Sequence, residues 1–254
     1  MIIYSANLNG NIDNCGCGEP PLGGLDHMAG ILKRERERQH TLFFDGGDAF
    51  NAYSYPALNK ALVQIYRYLK PEVLTVADQE FSEGADFLGA ALKGMEQAVL
   101  MGNTRAEIAL PGPSYKIFRH KDMRLGITSF VELNIRQKGV ALTRAPARFD
   151  AAVRAIKKTD IRALIYHGRR KNLPRLLEKY PHWDIIMLAH EQIALNERAE
   201  GRWLVCPGAD GEYVSRIVLI KNKNGLTIKT GQLPVSLEWP ADEKISRIIK
   251  NYQK

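Results

Sequence analysis

Long apolar segments are missing from this chain of 254 residues. No apolar run approaches the roughly 20 residues that a helix needs to cross a bilayer, so we expect no membrane span. Internal repeats, low-complexity segments and long linkers are also missing, and we therefore expect one domain over residues 1–254. A strand-like segment begins at residue 2, with no signal peptide before it. The protein is then either cytoplasmic or an exported one whose leader has been replaced by Met1.

Cysteine is scarce, and its number is odd. The three cysteines are Cys15, Cys17 and Cys206. An odd number excludes a complete disulfide framework, because at least one sulfur is left without an intramolecular partner.

Basic residues outnumber acidic ones, which gives a formal net charge of +8 and favours anionic partners in general. These basic residues are dispersed along the chain. The densest run, "KRERERQ" at 33–39, carries interleaved glutamates and is typical of a solvated helix face. We therefore expect no nucleic-acid partner.

Short apolar runs alternate with amphipathic segments, as in an α/β protein. Eight runs predict strands: 41–44, 72–76, 97–101, 124–130, 162–166, 184–188, 202–206 and 214–221. Their nearly continuous apolar character suggests sheets that are covered on both faces. Apolar stripes at helical spacing predict helices over 25–32, 58–69 and 245–252, and residues 105–115, with two prolines, predict a loop.

Polar side chains follow the predicted strands where each strand ends. Asn7 and Asn9 follow the first strand, and Asp48 follows the second. The next polar residues in this series are Asp78, Gln79, His167, His190 and Gln192. Ligands of α/β sheets bind beyond the carboxyl ends of strands, so these side chains should gather into one site.

The order and spacing of these segments resemble the metallophosphoesterase superfamily, and specifically the catalytic domain of the 5′-nucleotidase family. The family's motifs are D-x-H-G, G-G-L, D-x-G-D, G-N-H-E-F-D, a single His and G-H-x-[HQ]. This chain has "NLNG", "GGL", "DGGD", "ADQEFS", "YHG" and "AHEQ" in the same order. The resemblance implies a calcineurin-like four-layer α/β/β/α sandwich with two mixed sheets. It stops where the family's C-terminal nucleotide-recognition domain would begin, so we expect that domain to be absent.

The resemblance implies a metal site that is complete. In the family two metals share a bridging aspartate, to which Asp48 corresponds. The second metal also takes an amide and two histidines, and Asp78, His167 and His190 stand at those positions. Carboxylate and imidazole ligands suit Zn, Mn or Fe, so we expect one divalent ion as cofactor.

The other metal site that the resemblance implies has lost two ligands. Asn7 and Asn9 replace its carboxylate and imidazole, while Gln192 at its last position is within the family's range. Neutral amides bind a divalent cation more weakly, so this site is expected to be empty or differently occupied. The family's catalytic histidine is replaced by Gln79, which cannot donate a proton to a leaving group at neutral pH. We assign Asn7, Asn9 and Gln79 to the altered catalytic positions and expect weak phosphatase activity.

The cysteines lie near this site by the topology of the family, with Cys206 at the end of a strand on the same rim. Three interpretations stay open: replacement redox or metal chemistry, a disulfide from Cys206 to Cys15 or Cys17, and no role beyond packing. The C-x-C motif resembles a subgroup of exported 5′-nucleotidase-like proteins, which implies a periplasmic or otherwise exported location.

Three classes of function are consistent with these residues. The first is a metal-dependent hydrolase with altered chemistry on an anionic substrate, such as a sulfur ester, with Arg169 and Arg170 attracting the anion. The second is an inactive metal-binding or interaction protein on the same scaffold. The third is a redox module that uses the cysteines with a partner protein. The sequence does not indicate an oligomeric state.

Overall fold

Strands and helices alternate through most of the chain in the computed structural model. The structure describes residues 1–14, 16, 18–106, 110, 112–132, 135–137, 140–223 and 225–253. The strands in this part of the chain, β1 to β15 in order, are Ile2–Ser5, Leu42–Asp45, Val73–Thr75, Val99–Leu100, Thr104–Ala106, Tyr115–His120, Met123–Val131, Ile135–Gln137, Val140–Arg144, Ile161–His167, Ile185–Ala189, Ala194–Ala199, Arg202–Pro207, Tyr213–Asn222 and Gly225–Pro234. The helices α1 to α6 are Leu25–Arg38, Pro56–Leu69, Ala85–Leu92, Pro146–Ile156, Leu173–Lys179 and Glu243–Tyr252, with 3₁₀ turns at Gln79–Phe81 and Arg170–Asn172.

Two six-stranded sheets form the body of the protein. The first has the strand order β15-β14-β1-β2-β3-β4, and the second has the order β12-β13-β11-β10-β7-β6. The four strands from β1 to β4 pair in parallel, as do β13, β11, β10 and β7. The remaining strands, β14, β15, β12 and β6, pair antiparallel, so both sheets are mixed.

The buried side chains divide into three layers, which establishes how the sheets and helices stack. One cluster joins the inner faces of the sheets, with Tyr4 of β1 against residues such as Ile165 and Met187. Ile3 points the opposite way, into a second cluster with α1, α2, α3 and α6. A third cluster packs α4 and α5 on the outer face of the second sheet. The predicted α/β/β/α sandwich is confirmed.

All eight strands and all three helices predicted from apolar patterns are present. The predicted loop at 105–115 is wrong at both ends. Thr104–Ala106 is a strand that pairs with β9 in a small three-stranded sheet, β5-β9-β8, and Tyr115 is the first residue of β6. Within the run 33–39, which ends α1, Glu35 is buried and lies 3.6 Å from Arg216, whereas the other residues are exposed.

In the described part of the chain, no helix has the length and apolar character needed to cross a membrane.

Candidate metal centre

The loops that follow the parallel strands have unusual backbone geometry at the polar positions. Asn7, Asn9, Asp48 and His190 have φ values of 57°, 55°, 57° and 70°, in the left-handed region that residues other than glycine rarely adopt. Such conformations concentrate at functional sites, where the surrounding structure holds them. Gly47 beside Asp48 has φ 95°, and a Cβ there would lie 3.1 Å from the carbonyl oxygen of Thr75. The turn after β2 therefore requires glycine at this position.

Four predicted ligands converge at the carboxyl ends of their strands. Asp48, Asp78, His167 and His190 each offer one ligand atom, and these atoms lie within 4.8 Å of one another. His167 Nε2 is 3.5 Å from Asp48 and 3.1 Å from Asp78, and His190 Nδ1 is 3.4 Å from Asp48. They come from loops after β2, β3 and β11 and from the end of β10. The sequence interpretation that these four side chains converge agrees with their placement.

The polar atoms of this cluster indicate that its chemistry fits a cation. Among the residues that the structure describes, neither buried carboxylate oxygen of Asp48 has a hydrogen-bond partner, and neither does Nδ1 of His190. A buried carboxylate is costly unless it is paired, hydrogen-bonded or bound to a metal. Two carboxylates and two imidazoles form a donor set for a divalent transition ion or zinc.

His167 is oriented by its other ring nitrogen. Nδ1 lies 3.0 Å from the carbonyl oxygen of Gly46, a contact that fixes the ring and leaves Nε2 facing the two aspartates. Burial lowers the pKa of His167, but the charge of Asp48 and the hydrogen bond to Asp78 outweigh it and raise the pKa to about 9. For Asp78, burial alone would raise the pKa. The hydrogen bond from His167 and its charge outweigh burial, so the pKa of Asp78 lies below its ordinary value.

Glu80 joins the two loops that carry the aspartates. Its carboxylate is buried and accepts the backbone N–H groups of Ala49 and Ala77, both at 2.8 Å. Burial and the charge of Asp48 raise the pKa of Glu80 to about 8. This residue belongs to the segment "ADQEFS", where the sequence pattern indicates no role for it. A buried carboxyl cannot be distinguished from a surface one by residue type alone.

Asn7 has its hydrogen-bonding capacity used by the loops around it. Its Nδ2 donates to the carbonyl oxygens of Glu191 and Gly208, and its Oδ1 accepts the backbone N–H of His190. All three distances are 2.7 Å. In this arrangement Asn7 holds the loop of a predicted ligand and lies outside the four-residue cluster.

The other predicted residues of the altered site bond to one another. Asn9 Nδ2 donates to Gln192 Oε1 at 3.0 Å and to Asp210 Oδ1 at 2.8 Å, while Gln79 Nε2 donates to Asn9 Oδ1 at 3.1 Å. Asn11 also donates to Asp210, at 2.8 Å. We call Asn9, Asn11, Gln79, Gln192 and Asp210 the amide network. That Gln192 binds a metal stays a prediction.

Asp210 is a member of this network that sequence reasoning missed. It lies in the turn after β13, within the segment "PGADGEY", and has a positive φ of 58°. Its backbone N–H donates to the carbonyl oxygen of Asn7 at 2.8 Å. The sequence showed only that an acidic residue follows this strand. Glu212 in the same segment meets that description equally well, so Asp210 could not be singled out.

Cys206 is a buried residue at the end of β13. Its thiol donates to the carbonyl oxygen of Glu191 at 3.3 Å and packs in the outer cluster with Leu173 and Leu188. Burial raises the pKa of this thiol to about 11, so it is protonated at neutral pH and is a weak nucleophile. Cys15 and Cys17 lie outside the described residues, and the predicted pairing or joint chemistry of the three stays a prediction.

The basic residues after His167 are exposed at the rim. Arg170 forms an ion pair with Glu197, and its backbone N–H donates to Glu191 at 2.5 Å. The backbone N–H of Arg169 donates to Glu132 at 2.9 Å, and its side chain is exposed. That Arg169 and Arg170 attract an anion stays a prediction.

Comparisons with known proteins identify the architecture. Neither a protein-family model nor a curated protein sequence matches the chain. A structure of the Thermus thermophilus sulfate thiohydrolase SoxB in complex with glycerol is similar, with 17% identity and a TM-score of 0.80, over 99% of this chain and 59% of that one. A 5′-nucleotidase precursor from Thermus thermophilus has 19% identity and a TM-score of 0.79, over 99% of this chain and 57% of that one.

A third solved structure has a similar architecture. The 5′-nucleotidase from Candida albicans SC5314 is 11% identical, with a TM-score of 0.75, over 99% of this chain and 56% of that one. At these identities the likeness concerns the fold. The chain spans between 56% and 59% of the length of these three structures.

Proposed function

We propose that this chain, which has the metallophosphoesterase fold, binds one divalent cation and uses it in an altered or weak hydrolase reaction on an anionic substrate. Asp48, Asp78, His167 and His190 would hold the ion. The observation that carries the proposal is the pair of buried Asp48 oxygens, which have no hydrogen-bond partner among the described residues.

The donor set suits Zn, Mn or Fe(II). When bound, such an ion supplies Lewis-acid polarisation of an ester oxygen and lowers the pKa of a coordinated water. The chain itself contributes the orientation of the ligands, since Gly46 fixes His167 and Asn7 fixes the backbone of His190. These contacts prepare the four side chains before an ion arrives.

A second ion has no comparable set of ligands among the described residues. The amide network fills the adjacent position with hydrogen bonds among neutral amides and one carboxylate, Asp210. Asn7 donates to two carbonyl oxygens and does not direct a free oxygen toward the cluster. These contacts support one ion per chain.

Proton transfer to a leaving group is the step that this chain supports least. Gln79 holds the position beside Asp78, and its Nε2 is engaged by Asn9. An amide can donate a hydrogen bond to a departing oxygen but cannot protonate it at neutral pH. The reaction should therefore favour esters whose leaving groups depart without protonation, such as aryl or thiolate groups, over 5′-nucleotides.

An anionic substrate is supported by the formal charge of +8 and by the exposed Arg169 close to His167 in the chain. One of the similar structures is that of a sulfate thiohydrolase, which makes sulfur esters one candidate class alongside phosphate esters. The shared chemistry is a tetrahedral anion with a good leaving group.

The test combines metal content with turnover. We expect one ion per wild-type chain by elemental analysis, loss of that ion in His167→Ala and His190→Ala, and retention of it in the exposed control His182→Ala. Activity on 4-nitrophenyl phosphate and 4-nitrophenyl sulfate should exceed activity on 5′-AMP. Gln79→His should raise the activity on 5′-AMP relative to that on the 4-nitrophenyl esters, because a histidine restores a proton donor. Unchanged metal content in both histidine variants would refute the site.

A metal-binding protein without turnover is the second candidate, and the closed amide network favours it. In that case the chain binds one ion through the same four residues, but no ester is hydrolysed in wild type or in Gln79→His. Turnover of any of the three substrates that is lost in His190→Ala would exclude this candidate.

A further inference from the structure

A cavity of about 590 Å³ lies on the outer face of the second sheet, between the carboxyl ends of β7 and β10 and the helices α4 and α5. Its lining includes Phe130, Phe149 and Tyr166, together with Arg144, Arg175 and Lys179. This volume is within the range of sites for small ligands, about 300–1,000 Å³. The proposed metal site makes no use of these residues.

The cavity and the metal centre lie on opposite faces of the same strand. Tyr166 and His167 are consecutive in β10, so their side chains point to opposite sides of the sheet. Tyr166 packs in the outer cluster with Phe149 and Leu176, whereas His167 faces Asp48 and Asp78. A ligand in the cavity would therefore be separate from an ion at the metal centre.

The aromatic wall of the cavity is held in place by contacts within the protein. Phe130 and Tyr166 are nearly parallel, with an interplanar angle of 8° and centroids 6.1 Å apart. Phe149 meets Phe130 edge-on at 5.1 Å and Tyr180 edge-on at 5.0 Å. Phe149 and Tyr166 are each only 1% exposed, so the half-buried Phe130 and Tyr180 supply the ring surface that the cavity offers. A planar ring could pack against these two side chains with little rearrangement of the protein, and such preorganisation favours binding.

The polar groups of the cavity favour an anion. Among the described residues that line it, Arg175 and Lys179 are exposed basic side chains on α5, and the lining carboxylate is that of Glu132. That carboxylate is already engaged, because it accepts hydrogen bonds from Asn172, from the hydroxyl of Tyr166 and from the backbone of Arg169. Lys179 lies 3.8 Å from Asp150 in an exposed ion pair, which is weak in water. The net positive charge faces the same space as the aromatic rings.

We propose that this cavity binds a small planar aromatic acid, with its ring against Phe130 and Tyr180 and its carboxylate or sulfonate near Arg175 and Lys179. The combination of an apolar wall with a few convergent charges is typical of small-molecule sites. Neither the metal nor hydrolysis enters this proposal.

The probe for the test is 1-naphthoate, titrated by calorimetry into the whole chain after treatment with chelator. We expect one site per chain. Arg175→Glu and Lys179→Glu should each weaken binding about tenfold or more, since charge reversal opposes the anion. Arg247→Glu, an exposed arginine on α6, is the matched control and should leave binding unchanged.

Three results would overturn the proposal. The first is the absence of binding, or binding that Arg175→Glu does not weaken. The second is a loss of binding in Arg154→Glu and in no other variant. Arg154 lines a neighbouring groove with Trp183, so this result would show that the probe binds in that groove. The third is inorganic phosphate binding as tightly as 1-naphthoate, which would show that the rings take no part. Because the chelator removes any bound metal before the titration, each result is independent of the proposed hydrolase activity.

Discussion

The side chain of Asn7 fastens the loop that carries His190. Its Oδ1 accepts the backbone N–H of His190 at 2.7 Å, and its Nδ2 donates to the carbonyl oxygens of Glu191 and Gly208 at the same distance. One acceptor and two donors are needed at this buried position, and only an amide of this size supplies them. A carboxylate, which the family resemblance implies here, would face two carbonyl oxygens without a proton between them.

Asn7→Asp should therefore destabilise the fold. We expect a loss of about 3 kcal/mol in the free energy of unfolding, because two buried carbonyl groups lose their donors and face a charge. Urea denaturation measures the change. Asn196→Asp, on the exposed face of β12, is the matched control and should shift the midpoint little. Equal midpoints for wild type and Asn7→Asp would contradict this role of the amide.

Metal binding should appear as added stability. A divalent ion at one hundred times its dissociation constant should raise the free energy of unfolding of wild type by about 2.7 kcal/mol. His190→Ala should abolish this gain while leaving the metal-free protein nearly unchanged, since 29% of the His190 side chain is exposed. Thermal denaturation with and without the ion measures both effects. An equal gain in wild type and variant would place the ion elsewhere.

Tyr66 stabilises a buried carboxyl at the end of β2. Its hydroxyl donates to Asp45 at 2.7 Å, alongside Ser5 at 2.6 Å. Burial raises the pKa of Asp45 to about 6 despite these hydrogen bonds. Because the folded pKa lies above the unfolded value, the contribution of Asp45 to stability is greatest below about pH 4 and is lost as the pH rises to about 6.

Tyr66→Phe should raise the pKa of Asp45 further and extend that loss to higher pH. We expect a destabilisation of about 1–3 kcal/mol that is larger at pH 8, where the carboxylate is charged, than at pH 5. Urea denaturation at the two values tests this. Tyr68→Phe on the same helix is the control, because its hydroxyl meets Asp242 at the surface. A loss that does not depend on pH would contradict the linkage to Asp45.

The ligand cluster could be predicted because its members follow strands that the apolar pattern makes evident. His167 comes directly after such a run, Asp48 comes four positions after another, and the sheet brings the strand ends together. The strand β12, with the sequence "ALNERA", has too little apolar character to be predicted, and it forms by pairing with β13. The roles of Glu80 and Asp210 depend on contacts with groups far along the chain, which no local pattern encodes.

Glu80 provides the sharpest test of how the metal centre is assembled. Its two carboxylate oxygens accept the backbone N–H groups of Ala49 and Ala77, each one residue from a predicted ligand. Glu80→Ala would leave both N–H groups buried without an acceptor, at about 1–3 kcal/mol each. Glu80→Gln keeps one acceptor oxygen, so we expect it to lose less than half as much stability as Glu80→Ala.

Amide hydrogen exchange separates this role from a general loss of stability. In Glu80→Ala the amides of Ala49 and Ala77 should exchange faster than in wild type, while those of β10 and β11 follow only the change in global stability. The affinity for the divalent ion should be highest in wild type, lower in Glu80→Gln and lowest in Glu80→Ala, because Asp48 and Asp78 lose their fixed separation. Glu178→Ala, at the surface of α5, should change neither quantity. Metal affinity that is equal in Glu80→Ala and wild type would show that the two loops hold their positions without this carboxylate.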